Sequence, residues 1–130
     1  MKFSIAIFGG PSDSQASLSA LNFARAVITS GHELYRVFFY QEAVTTGNTL
    51  IVAPQDERNL NAAWAKFSDE HSVELILCIA SALRRGILND SEARRYEKDA
   101  NNLHPAFTIS GLGQLIDAGI ESDRLISFGK

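Results

Sequence analysis

Val73 to Gly86 read VELILCIASALRRG, and this stretch decides the architecture. Its first half, Val73 to Ile79, is almost wholly apolar, as expected of a strand buried on both faces of a parallel sheet. From Ala80 to Arg85 the residues turn small and basic, which favours a helix, and Gly86 breaks it. A strand running straight into a helix is half of a βαβ unit, the connection that parallel sheets require.

The same alternation recurs on both sides. Lys2 to Phe8 (KFSIAIF) predicts a buried strand ending at Gly9-Gly10-Pro11. Ser12 to Ser30 predicts a helix, with Ala20, Phe23, Ala24, Val27 and Ile28 on one face, Ser12, Asp13 or Ser14 as cap, and Gly31 as stop. His32 to Tyr40 (HELYRVFFY) predicts a second strand, with Phe39 on one face and Phe38 and Tyr40 on the other. A long loop is expected from Gln41 to about Gln55; its Leu50, Ile51 and Val52, with those aromatics, offer an apolar subunit interface. Asp56 is expected to cap a helix carrying Leu60, Ala63, Trp64 and Phe67. Downstream, Asn89 to Asn102 reads as a solvated helix capped by Asp90, and Phe107 to Ile109 as a short strand. Ser110 is expected to cap a helix through Ala118, with Gly119 as stop, and Asp123 to Phe128 is the last strand. With right-handed crossovers, these elements make a single α/β domain over residues 1–130, three layers around a mainly parallel sheet of about five strands.

The chain has 130 residues, 45% of them hydrophobic and 21% charged, enough apolar surface for one core. Twelve Lys plus Arg against fifteen Asp plus Glu leave a net charge of −3, which argues against direct nucleic-acid binding as the main task. The apolar start stops at two glycines, with neither the length nor the cleavage site of a signal peptide, and no stretch approaches a membrane span. A single cysteine permits no internal disulfide, so the expected compartment is the cytoplasm.

In a parallel sheet, reactive groups gather beyond the carboxyl ends of the strands. Three loops are expected there, Gly9 to Ser14, Gln41 to Gln55 and Cys78 to Arg85, and the site is expected where they meet. Cys78 has two readings. It is either a small hydrophobe closing a core strand, or a thiol placed at the positive end of the helix that follows, which favours the thiolate. A thiolate can take the outer sulfur of a donor persulfide and hold it as Cys–S–SH, and Ala80 and Ser81 leave room for that atom. Arg84 and Arg85 read either as a solvated pair or as positive charge supporting the thiolate or persulfide, one facing the site and the other solvent.

Other chemistry finds less footing. The Gly9–Ser14 loop lacks the lysine of a phosphate loop and carries Asp13, so it reads as a βα turn. His32, His71 and His104 have no metal spacing, and no serine sits in a nucleophile elbow. Neither metal nor cofactor is expected.

Several segments together resemble the DsrE-like family. They are the opening strand running into Gly-Pro, GHEL of Gly31 to Leu34, VFFY of Val37 to Tyr40, CIASALRRG of Cys78 to Gly86, FTISGLG of Phe107 to Gly113, and the closing Asp123-Arg124. The resemblance implies a flavodoxin-like subunit that joins TusB- and TusC-like subunits in a hetero-oligomer. It further implies a persulfide relay in which a small donor protein loads Cys78 and an acceptor protein unloads it, toward 2-thiouridine at the tRNA wobble position. In sulfur-oxidising relatives it implies sulfur oxidation instead.

Overall fold

Five parallel strands carry the chain in this computed structural model, which describes residues 1–129. They are β1 (Lys2–Ile7), β2 (Glu33–Phe39), β3 (Glu74–Cys78), β4 (Phe107–Ser110) and β5 (Arg124–Phe128), in the order β4-β3-β2-β1-β5. Every neighbouring pair is parallel, so the sheet is wholly rather than mainly parallel. The chain steps outward one strand at a time from β1 to β4, then returns across the sheet to place β5 on the other side of β1.

Helices cover both faces. On one, α1 (Ala16–Thr29) packs on β1, β2 and β5, and α2 (Leu60–His71) lies beside it. The fully buried Trp64 of α2 meets Phe39 and Phe67 edge-on and donates from Nε1 to Ser17 Oγ of α1 at 3.1 Å. Burying rings of this size contributes roughly 2–3 kcal/mol each, more than a helix cap, so Trp64 and Phe67 fix α2 on the sheet.

The opposite face is covered by α5 (Gly113–Glu121), which packs on β2, β1 and β5. A register shift opposite Phe3 and Ser4 leaves Tyr35 as an extra residue in β2. This bulge turns both Tyr35 and Arg36 toward α5. Tyr35 donates to Asp117 Oδ2 at 2.7 Å, and the nearly buried Arg36 donates to the same oxygen at 2.7 Å, to the Gln114 carbonyl at 2.8 Å and to Glu74 at 2.6 Å. The Tyr35 hydrogen bond, reinforced by Arg36, holds the Asp117 carboxyl below its ordinary pKa.

Between β3 and β4 run two short helices, α3 (Ile79–Arg84) and α4 (Asp90–Arg95). Several boundaries differ from the sequence reading. Asn59, not Asp56, caps α2, its side chain accepting from Ala62 N at 3.0 Å. Asp56 is taken up by a turn closed from Glu57 N to the Pro54 carbonyl at 2.9 Å, so the helix starts only beyond it. The charged segment from Asn89 forms only six helical residues, capped by Asn89 rather than Asp90, because Glu97 turns left-handed (φ 56°) and Lys98 N closes on the Ala93 carbonyl. Gly119 does not stop α5, since a glycine ends a helix by taking positive φ, and among glycines only Gly31 and Gly86 do so. Ser110 closes β4 rather than capping α5, whose N-cap is Leu112.

Candidate functional site

Cys78 is both the last residue of β3 and the N-cap of α3, with φ −61° and ψ 122°. An extended residue here lets the strand run into the helix without a loop, so the thiol stands at the carboxyl end of the sheet. By strand alternation, Leu75 and Leu77 share the face of Phe39 beneath α1 and α2, whereas Ile76 and Cys78 share the face of Phe38 beneath α5. On the neighbouring strand, Thr108 and Ser110 pair with Ile76 and Cys78 on that same face; Thr108 is exposed and Ser110 half-buried. The thiol therefore lies at the thinly covered end of the α5 side. Its side chain caps no backbone N–H, and only 3% of the residue is exposed.

The three residues read from the sequence as supporting Cys78 have separate fates. Ser81 is buried in the first turn of α3, and its Oγ accepts from Gln41 N at 3.1 Å. Arg85 turns away to Glu42, Nε to Oε1 at 2.6 Å, and also donates to the Ser81 carbonyl at 3.1 Å. Arg84 is exposed, and among the described residues no carboxylate pairs with it. One arginine thus points inward and the other to solvent, but the inward one meets a carboxylate rather than the thiol.

Both inward contacts end on a segment read as loop. Gln41–Gly47 is a 3-10 helix, followed by an irregular stretch to Gln55. It begins at a strained residue, for Gln41 sits at φ 52°, a conformation that costs a side-chain-bearing residue about 1–2 kcal/mol. The far end abuts β3, where a Cβ added to Gly47 would meet Leu77 Cδ1 at 2.6 Å. Leu77 on one side of Cys78, and Ser81 and Arg85 on the other, are all in contact with this segment. Gln41 and Glu42 escaped sequence reading, because glutamine is not a residue that marks positive φ and the Glu42–Arg85 pair spans 43 positions.

The three expected loops come together at Glu42, which bonds Arg85 and lies 3.4 Å from where a Cβ on Gly10 would stand. A cleft of about 710 Å³ joins the first loop, Pro11 to Gln15, to Ile51–Pro54 and to the start of α2, including Arg58 and Asn61. Cys78, Ser81 and Arg85 do not line it; the 3-10 segment stands between, with Asn61 bonding the Thr46 carbonyl on one side and Glu42 bonding Arg85 on the other. Among the described residues, no group of three or more His, Cys, Asp and Glu is placed to hold a metal ion. Among the described residues, no helix is long and apolar enough to cross a membrane.

Comparison with known proteins adds a lineage to this geometry. The model of the DsrE/DsrF-like family matches residues 1–128. The chain is 47% identical over 129 residues to a DsrE protein of Allochromatium vinosum, covering 99% of each. It is 45% identical to a "Sulfurtransferase TusD homolog" of Pseudomonas aeruginosa over 99% of this chain and 98% of that protein. To "Sulfurtransferase TusD" of Salmonella typhi it is 44% identical over 98% of this chain and 100% of the other. Among solved structures, the YchN protein of E. coli superimposes with a TM-score of 0.78 at 22% identity, over 98% of this chain and 99% of that one. That likeness shows the fold.

Proposed function

This chain belongs to the DsrE/DsrF-like family, and from that premise we propose that it is a sulfurtransferase carrying sulfane sulfur as a persulfide on Cys78. The observation that carries the reading is the position of its one cysteine, at the carboxyl end of β3 and the start of α3, in a chain whose curated relatives are named sulfurtransferases.

The transfer balances without an outside oxidant. The Cys78 thiolate attacks the outer sulfur of a donor persulfide, a new S–S bond forms, and the donor's S–S bond breaks with its electron pair leaving on the donor sulfur. Unloading runs the same step with an acceptor thiolate attacking the outer sulfur on Cys78. The donor and acceptor are small proteins presenting such thiols. The proposed destination is tRNA wobble-uridine 2-thiolation in the cytoplasm, with sulfur oxidation as the second; both come from the resemblance to the DsrE-like family, since the relatives' names say only sulfurtransferase.

TusB- and TusC-like subunits are the proposed partners. The surface that supports association is the outer side of α5 and β5, where Leu112, Ile116, Ile120 and Leu125 are exposed, Ile120 to 75%. The first three follow each other four residues apart, one stripe along the helix.

A specific observation favours a rival reading: Cys78 is 3% exposed, as a packing cysteine would be. Transfer from a persulfide-loaded donor to an acceptor thiol separates the two. The sulfurtransferase loses transfer on Cys78→Ser; a non-catalytic subunit supports the same transfer with serine there.

A further inference from the structure

We propose that Ser110 is a second residue of the transfer site, its hydroxyl donating a hydrogen bond that holds the outer sulfur once Cys78 is loaded. This rests on the reading of Cys78 as the sulfur carrier. Cys78 and Ser110 are partners in the register of β3 and β4, each the last residue of its strand. Residues paired in a parallel ladder send their side chains to the same face, so thiol and hydroxyl stand side by side on the α5 side of the sheet.

A persulfide is a stronger acid than a thiol, so between loading and unloading the outer sulfur is an anion, and beside a buried residue it needs a donor. The other polar groups around Cys78 are engaged elsewhere. Ser81 Oγ takes the Gln41 N–H, Arg85 is bound to Glu42, and Arg84 is exposed. Asp117 of α5 is held by Tyr35 and Arg36 near the start of β2, the end of the sheet away from Cys78. On the thiol's own face, Ile76 and Phe38 are apolar and buried, and Tyr40 lies against Phe8, beyond β2, with ring centroids 5.7 Å apart. Ser110 is free. It is half-buried, α5 takes no side-chain cap, and among the described residues the hydroxyl has no hydrogen-bond partner, the empty thiol included. Neighbouring strands stand about 4.8 Å apart, and a sulfur bonded to Sγ reaches about 2 Å farther, which closes most of that gap. Space for it is open on this side. β4 is the edge strand, Thr108 on the same face is exposed, and a Cβ on Gly111 would meet nothing within 4 Å. The hydroxyl therefore serves the second sulfur rather than the first.

Intact mass reads the test cleanly because the chain has a single cysteine. Inorganic tetrasulfide serves as the sulfur source. The Cys78 thiolate attacks a terminal sulfur, a new S–S bond forms, and the other three sulfurs leave as trisulfide with the electron pair. Once the polysulfide is removed, iodoacetamide alkylates the outer sulfur as its anion, so the rate against pH has a midpoint that access to the site does not move. In Ser110→Ala that midpoint is expected to rise by about one pH unit, the effect of losing one hydrogen bond to a charged group. Ser110→Thr keeps the hydroxyl and is expected to titrate near wild type. On the unloaded proteins, the pH profiles of labelling for wild type and Ser110→Ala are expected to coincide. A loaded Ser110→Ala with the wild-type midpoint would overturn the role of Ser110 and leave carriage by Cys78 intact. So would a midpoint in Ser110→Thr as high as in Ser110→Ala, or the same rise in unloaded Ser110→Ala. A wild type that takes up no sulfur would remove the carrier reading, and the role of Ser110 with it.

Discussion

A methyl group added at Gly47 would fall 2.6 Å from Leu77 Cδ1, and Leu77 is fully buried. Gly47→Ala is therefore expected to cost about 1–3 kcal/mol, the usual toll of overpacking, seen as a lower urea midpoint with an unchanged slope. An unchanged midpoint would mean that the 3-10 segment is not seated on β3. At this scale, Cys78 could be placed from the run VELILC alone, since a run of apolar residues must end where the strand leaves the core. The partner of Arg85 could not. A charge 43 positions away leaves no periodic trace, and the bond depends on a backbone conformation at Gln41 that its side chain does not announce.

At the scale of elements, charge holds α5 to β2. Asp117 accepts from both Tyr35 and Arg36, and its carboxyl is held below its ordinary pKa in the fold. A depressed carboxylate contributes stability above its unfolded pKa of about 4 and loses it as pH falls through the folded value. Asp117→Asn should thus be less stable than wild type near neutral pH, with the gap closing below about pH 4. Urea unfolding at both pH values checks this; a gap constant with pH would show that the carboxylate's charge does not matter. Apolar periodicity foretells α1 and α2, whereas α5 is marked only by Ser110 and Gly119, neither of which bounds it, and helix ends are harder to read. Asn59 and Asp56 are equally good caps in sequence, and only the turn at Pro54–Glu57 decides between them. The bulge at Tyr35 that aims two side chains at α5 leaves no mark on the alternation of HELYRVFFY.

Over the whole molecule, the parallel sheet was legible because strands and helices alternate, but the order β4-β3-β2-β1-β5 was not. Each βαβ step looks alike in sequence, and the long return of β5 to the far side of β1 is set by packing under α5. That return leaves the stripe Leu112, Ile116 and Ile120 facing outward beside Leu125. Co-expressed with TusB- and TusC-like subunits, the Ile116→Lys, Ile120→Lys double variant should elute as a monomer where wild type elutes as an assembly. Co-elution of the variant would place the contact elsewhere. The mass of the intact protein tests sulfur carriage most directly. After incubation with a persulfide-loaded donor and removal of small molecules, wild type should gain the mass of one sulfur atom, lose it to dithiothreitol, and gain none as Cys78→Ser. An unchanged wild-type mass, or the same gain with serine in place, would contradict the carrier role of Cys78.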